Sequence, residues 1–182
     1  MDAGTKGNLM IVNGKSLLEA APIKNMLDHK VKHNGVSHGL SEAGYDIRIK
    51  QEIMFLAPQK DHPEWVTRSS WYASDVKMGS FTYGKFTIAS AIEEFQMPTN
   101  MVGIVHDKST WARAGLSVFN TVIEPGFNGG LTLELVYHGN TNLLIPAGSG
   151  IAQVVFTRTS DHMTYTGKYS NQSTEPTPAR FE

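Results

Sequence analysis

Between residues 45 and 157 the chain is cut into short apolar or alternating runs, and this punctuation constrains the fold more than any other feature of the sequence. Runs fall at 45–49, 53–56, 81–83, 86–91, 101–105, 131–137, 143–145 and 151–157. Between them stand turn residues: Gly79, Gly84, the 98–100 segment, Pro125-Gly126, Gly129-Gly130, Gly139-Asn140 and the 148–150 segment. Segments this short cannot form helices of ordinary length, and strands spaced this closely leave no room for crossover helices. The pattern predicts a mainly β, mostly antiparallel domain, a barrel or sandwich, and not a βαβ architecture. Ahead of it, residues 17–28 have helix-forming composition interrupted by Pro22, which predicts one or two short helical turns. Residues 30–44 are polar and glycine-bearing and read as a loop. Residues 170–182 are polar and carry Pro176 and Pro178, which predicts a flexible tail after a single domain over 1–169.

The 182 residues favour one domain. Sixteen Lys and Arg against seventeen Asp and Glu argue against a nucleic-acid-coating protein, which needs a basic excess facing phosphates. A single phosphorylated ligand needs only a few local cations and stays open. No segment approaches a membrane span, and the amino terminus has no continuous apolar stretch of signal-peptide type, so a soluble cytoplasmic protein is expected. Cysteine is absent, which removes disulfides and thiolate metal sites. The seven histidines match no HExxH spacing, and the zinc-deaminase HxE…PCxxC pattern requires the missing cysteines. P-loop, Rossmann and GxSxG patterns are absent as well.

One segment concentrates chemistry. Lys108, Ser109, Thr110 and Arg113 form K-S-T-x-x-R ahead of Gly115. Ser109 or Thr110 is placed to cap a helical turn through Trp111 and Ala114, and hydroxyls, cations and free N–H groups would then converge as a polyphosphate requires. Taken alone, the motif reads more simply as a capped turn with solvated cations. Downstream, Glu124-Pro125-Gly126-Phe127 and Gly129-Gly130 read as a tight hairpin in which Phe127, taken singly, packs on the core. In the run that follows, Leu131, Leu133 and Leu135 alternate with Thr132, Glu134 and Val136. Glu134 either meets solvent or lines a pocket, where desolvation would raise its pKa and suit it to proton transfer. Alternation leaves both open.

Together these motifs resemble the dCTP deaminase branch of the trimeric dUTPase-like superfamily. The family's [RK]-S-S-x-x-R-x-G-L is similar to residues 108–116, and its I-D-P-G-[WF]-x-G-x-[IL]-x-L-E to residues 123–134. A superfamily turn and strand, P-G-x-x-I-A-Q-x-x-F, is similar to 147–156. The late K-Y-x-x-Q and P-T-P appear at Lys168, Tyr169 and Gln172 and at 176–178, and Tyr45-Asp46-Ile47-Arg48 resembles the early [SV]-D-[LV]-R strand. The likeness runs from about Tyr45 to Arg180, and residues 1–44 diverge.

The resemblance implies a homotrimer of distorted jelly-roll subunits with active sites between them, acting on Mg²⁺-complexed dCTP to give dUTP and ammonia without zinc. By motif position, Lys108, Ser109, Thr110 and Arg113 would hold the triphosphate and help order water. Glu124 would face the deoxyribose and Thr132, Leu133 and Glu134 the cytosine. Tyr165, Lys168 and Gln172 would close over the phosphates. Glu134 would serve as general base and acid with Ser109 and Arg113 assisting, and dTTP is a possible inhibitor. Two departures bear on this: Glu124 replaces the usual aspartate, and Ser117-Val118-Phe119-Asn120 replaces H-x-T-A at the base pocket. The alternatives are a dUTP diphosphatase, a bifunctional deaminase–diphosphatase, and a non-catalytic nucleotide-binding regulator.

Overall fold

The computed structural model describes residues 10–57, 68–69, 79–83 and 85–181, the segments 68–69 and 79–83 by backbone alone. The turn expected at Gly84, residues 1–9 and the terminal Glu182 lie outside the described residues.

The predicted β architecture is present. Its elements are β1 (Ile11–Val12), α1 (Gly14–Ala20), β2 (Lys30–His33), β3 (Val36–Leu40), β4 (Tyr45–Arg48), β5 (Glu52–Phe55), β6 (Arg68–Ser69) and β7 (Gly79–Tyr83). They continue with β8 (Phe86–Gln96), β9 (Met101–Asp107), α2 (Ser109–Arg113), β10 (Leu116–Val118), β11 (Val122–Ile123), β12 (Asn128–Tyr137), β13 (Leu143–Ile145) and β14 (Gly150–Arg158). A seven-stranded sheet runs β11-β9-β14-β4-β3-β2 with β1 also paired to β14. A three-stranded sheet runs β10-β12-β8, and a four-stranded one β13-β5-β7-β6. Pairings are antiparallel except β5 with β7. The described strands form sheets packed as in a jelly roll and not a closed barrel.

The core lies between the sheets and follows period-two alternation. Met101, Gly103 and Val105 of β9 point inward, as do Leu133 and Leu135 of β12 and Val154 and Phe156 of β14. Tyr45 and Ile47 of β4 enter this core, while Asp46 between them faces the other side of the sheet and is nonetheless buried. Strand β8 is longer than its apolar run, and it serves two neighbours. Its outer parts pair with β12, with a register break between Gly130 and Thr132. Near that break Ala91 bridges Ile49, beyond β4.

Four expectations are corrected. Residues 30–44 are not a loop: β2 and β3 form a hairpin there, turned by Asn34 and Gly35, both at positive φ. Its outer strand is mostly exposed, so it carries no apolar run to announce it. The early helix begins at Gly14 and ends before Pro22, at Ala21 in the left-handed conformation. Neither Ser109 nor Thr110 caps α2, because the helix starts at Ser109 and Lys108 holds the cap position without a side-chain cap bond. The 124–130 turn is not a hairpin. It carries the chain from β11 in the large sheet to β12 in the small one, so its flanking strands are not partners.

Candidate active site

A cavity of about 640 Å³ opens beside β12. Its walls come from β8 (Phe86, Ile88), the 121–127 segment, β12 (Leu131, Thr132, Glu134) and the C-terminal segment (Tyr165, Tyr169, Gln172 and residues 177–179). The register explains why Glu134 faces into it. Glu134 is opposite Ile88 across the β12–β8 ladder, and side chains of directly opposed residues share a face. On the other flank the Phe119 N–H donates to the Glu134 backbone carbonyl at 3.0 Å, continuing the β10–β12 pairing. The rings of Phe119 and Phe86 lie 6.3 Å apart. The carboxylate is thus hemmed by apolar side chains, and its Oε2 is buried without a hydrogen-bond partner. Burial raises its pKa above the ordinary glutamate value and outweighs the opposing hydrogen bond from its own backbone N–H. The solvent-facing alternative for Glu134 is therefore excluded. Leu131 departs from simple alternation: next to the register break, it joins Thr132 and Glu134 on the cavity wall.

The C-terminal segment forms the second wall. Read from composition as a flexible tail, it is tied down along its length. The Gly130 N–H donates to Gln172 O at 2.9 Å, and Asn171 N–H to Asn128 O at 2.9 Å. A side chain at Gly129 would bring its Cβ to 2.6 Å from Gln172 O and 2.7 Å from Gln172 N, so glycine is required where the strap crosses β12. The Thr132 Oγ1 accepts from Gln172 Nε2 at 2.7 Å and from the Thr177 N–H at 3.0 Å. Lys50 Nζ donates to Thr174 Oγ1 at 3.0 Å and pairs with Glu175. Ser90 Oγ donates to Thr174 O at 2.8 Å. Polar composition suggested mobility, but these polar groups are consumed in bonds to the sheet. Near the turn, Tyr165 N–H donates to Pro125 O at 2.8 Å, and its ring packs 6.0 Å from that of the buried Phe127.

Of the residues singled out from the sequence, Glu124, Thr132, Glu134, Tyr165 and Gln172 line this cavity. Leu133 does not, since its side chain is in the core. Lys168 adjoins the wall through Tyr169 without lining it. Ser109, Thr110 and Arg113 are exposed on α2, outside the cavity lining of this subunit. Lys108 is buried, its Nζ 2.5 Å from Asp46 Oδ2, with side chains 10% and 3% exposed. Ser37 Oγ donates a long bond of 3.4 Å to the same carboxylate oxygen. Trp111 fixes the helix from its other side, Nε1 donating to Gly150 O at 2.7 Å. In this arrangement Lys108 anchors α2 and is not presented to a ligand.

Sequence reasoning missed the wall residues Phe86, Ile88, Thr121, Val122 and Tyr169. The alternation within 86–91 placed Phe86 and Ile88 on one face, but only strand pairing shows that this face meets Glu134. In the divergent Ser117–Asn120 stretch, Ser117 Oγ and His138 Nε2 are 3.2 Å apart, and the Phe119 ring adjoins that of Phe86 on the cavity wall. No group of three or more potential metal-ligating side chains occurs among the described residues. No described helix is long and apolar enough to cross a membrane.

A solved structure shares this β architecture. The 2'-deoxycytidine 5'-triphosphate deaminase of Agrobacterium tumefaciens superposes with a TM-score of 0.53 at 16% identity, covering 82% of this chain. This chain spans about half of that protein (48%), and the likeness concerns the fold. Residues 17–159 match the family described as dCTP deaminase-like. A dCTP deaminase of Helicobacter pylori (strain G27) is 36% identical over 149 residues, 78% of each chain. One from Campylobacter jejuni (strain RM1221) is 33% identical over 170 residues, 87% of this chain and 90% of the relative. The chain belongs to the dCTP deaminase-like family.

Proposed function

We propose that the protein hydrolyses the exocyclic C4–N bond of dCTP, giving dUTP and ammonia. The observation that carries this is the Glu134 carboxylate, buried in the cavity with Oε2 unpartnered and its pKa raised by burial. Deamination needs one group that first removes a proton from water and then returns protons to the substrate. A desolvated carboxylate with a pKa nearer neutrality does both. Glu134 takes the proton of the attacking water as its oxygen bonds to C4, and passes it to N3. The tetrahedral centre then collapses, its hydroxyl proton moving through Glu134 to the amine, and ammonia leaves.

The remaining roles follow from what each residue has left to offer. The two acceptor positions of Thr132 Oγ1 are taken by Gln172 and Thr177, so its hydroxyl proton is available to donate to a pyrimidine acceptor. Glu124, exposed at the cavity, would face the sugar hydroxyl. Tyr165 and Gln172 shape the phosphate end, with Lys168 beside them. Ser109, Thr110 and Arg113 project from α2 of one copy and would complete the cavity of a neighbour in a homotrimer, Ser109 and Arg113 ordering the water. Mg²⁺, held by the triphosphate's own oxygens, would neutralise part of its charge. It takes few protein ligands, which suits a cavity whose lining holds two carboxylates, Glu124 and Glu134, with other roles in this reading. dTTP, a pyrimidine triphosphate lacking the C4 amine, would occupy the same cavity as an inhibitor. The cytoplasm, where deoxynucleotide triphosphates are made, is the expected compartment.

The test is product analysis: incubation with dCTP and Mg²⁺ should yield dUTP and ammonia in equal amounts. Glu134→Gln should lower kcat by about 10²–10⁴-fold while leaving dCTP binding within a few-fold. Absence of both products from folded wild-type protein refutes the proposal. Release of pyrophosphate from added dUTP would establish the diphosphatase reading.

A further inference from the structure

The cavity divides by polarity along β12. At Thr132 it offers hydrogen-bonding groups, since Gln172 Nε2 and the Thr177 N–H both meet the Thr132 hydroxyl there. Past Glu134 the wall turns to hydrocarbon. Ile88 stands opposite Glu134 in the β12–β8 ladder, and Phe86 stands opposite Val136, the next residue of β12 on that face. Val122 of β11 adds to the same lining. Phe86 and Val122 keep 38% and 54% of their surface exposed, and the Phe119 ring lies 6.3 Å from that of Phe86. Phe86, Ile88 and Val122 carry no side-chain donor or acceptor. Thr121, beside Val122, brings a hydroxyl to that stretch of the lining.

A cytosine has one apolar edge, and the roles of Thr132 and Glu134 fix where it lies. C2 with its O2, then N3, then C4 follow one another around the ring. With Thr132 donating to O2 and Glu134 serving N3 and C4, that order runs along β12 in the chain direction. C5 is the ring atom after C4, so it projects past Glu134 toward Phe86 and Val122. A hydrogen at C5 leaves much of this hydrocarbon uncovered, whereas a methyl group removes apolar surface from water on ligand and wall alike. A hydroxymethyl group behaves differently, because its hydroxyl loses water against Phe86 and Ile88, where no partner waits.

We infer that Phe86 and Val122 seat an apolar substituent at C5 of the pyrimidine, so that the protein also deaminates 5-methyl-dCTP. Water adds at C4 and the C4–N bond breaks as for dCTP, the protons passing through Glu134. Ammonia leaves, and the other product is 5-methyl-dUTP, which is dTTP. The inference deepens the deaminase reading and rests on it for the reaction and for the pose of the base.

The experiment compares dCTP, 5-methyl-dCTP and 5-hydroxymethyl-dCTP on the full-length protein. It reads kcat/KM in wild type and, by titration calorimetry, affinity in Glu134→Gln, which binds without turnover. 5-Methyl-dCTP should bind about two- to fourfold more tightly than dCTP, the gain from one buried methyl group, and be turned over at least as efficiently. 5-Hydroxymethyl-dCTP should fall about tenfold or more below 5-methyl-dCTP in both measurements. Phe86→Asn and Val122→Thr each put a polar group on the wall and should raise the hydroxymethyl-to-methyl ratio by about fivefold or more. The ratio is taken within one protein, so any loss of folding or assembly cancels from it. Weaker binding of 5-methyl-dCTP than of dCTP overturns the inference. So do equal values for the methyl and hydroxymethyl substrates, which would give C5 to solvent or to the Thr121 hydroxyl. A ratio unmoved by both substitutions also overturns it and assigns Phe86 and Val122 to contact with a neighbouring copy. If wild type deaminates none of the three, the deaminase reading falls, and the order of affinities in Glu134→Gln still decides the C5 seat.

Discussion

Replacing Lys108 by methionine separates an anchoring lysine from a ligand-binding one. The Lys108 and Asp46 side chains are 10% and 3% exposed, their charged atoms are 2.5 Å apart, and Asp46 Oδ1 already lacks a partner. Deleting the ammonium leaves a carboxylate whose remaining side-chain contact is the 3.4 Å bond from Ser37. Breaking a buried pair on one side costs about 3–5 kcal/mol, because the surviving charge is stranded out of water. With a urea m-value of about 2 kcal/mol/M, the unfolding midpoint should fall by roughly 1.5–2.5 M at fixed protein concentration. A control at Lys15, whose 3.7 Å contact with Glu19 is 90% and 66% exposed, should cost no more than about 0.5 kcal/mol when the lysine becomes methionine. The double replacement Asp46→Leu with Lys108→Met should recover most of the loss, since an apolar pair of similar volume needs no compensation. Urea unfolding followed by tryptophan fluorescence reads all four proteins. A Lys108→Met loss below about 1 kcal/mol, or a double variant no better than the single, would refute the anchoring argument.

Two further outcomes follow from the cavity. Because burial raises the folded pKa of Glu134, the favourable contribution of its protonated form is fully present below the unfolded value of 4.5 and is lost as pH rises through the folded value. Above that, folding must bury an ionised carboxylate, so Glu134→Gln should gain stability relative to wild type at pH 8 but not at pH 4. Glu93, also raised by burial, is common to both proteins and cancels in the comparison. An offset that stays constant with pH contradicts the shift. Thr132→Val removes the acceptor of two strap bonds, each worth about 1 kcal/mol. Amide exchange should accelerate at Thr177 while the protected amides of β9 stay unchanged. Undisturbed exchange at Thr177 would show that the strap does not depend on Thr132.

Much of the fold was legible in the sequence because a half-buried strand writes its period into the residues. The runs at 101–105, 143–145 and 151–157 became β9, β13 and β14 with ends shifted by no more than two residues. Where one face gains no apolar burial, the code fails: β2 is largely exposed, and the 30–44 hairpin passed for a loop. The turn at 124–130 was visible through its glycines, but a turn does not say which strands it joins. Glycines 129 and 130 pointed to a close backbone approach, yet the approaching segment, the strap, lies some forty residues away in the chain.

The candidate site divides along the same line. The sequence by itself determined that no cysteine-ligated metal could serve, that Glu134 sat on a defined face of its strand, and that the family motifs stood in order. Tertiary structure decided which medium that face meets. Ile88 from β8, the 121–127 segment and the strap wall the cavity that holds the carboxylate, and desolvation depends on all neighbours at once, not on any local pattern. It also turned Lys108 inward, because a buried Asp46 on a strand 62 residues away leaves no cheaper place for the ammonium. Side-chain period is local and readable; burial and charge pairing are properties of contacts, and those exist only once the sheets have packed.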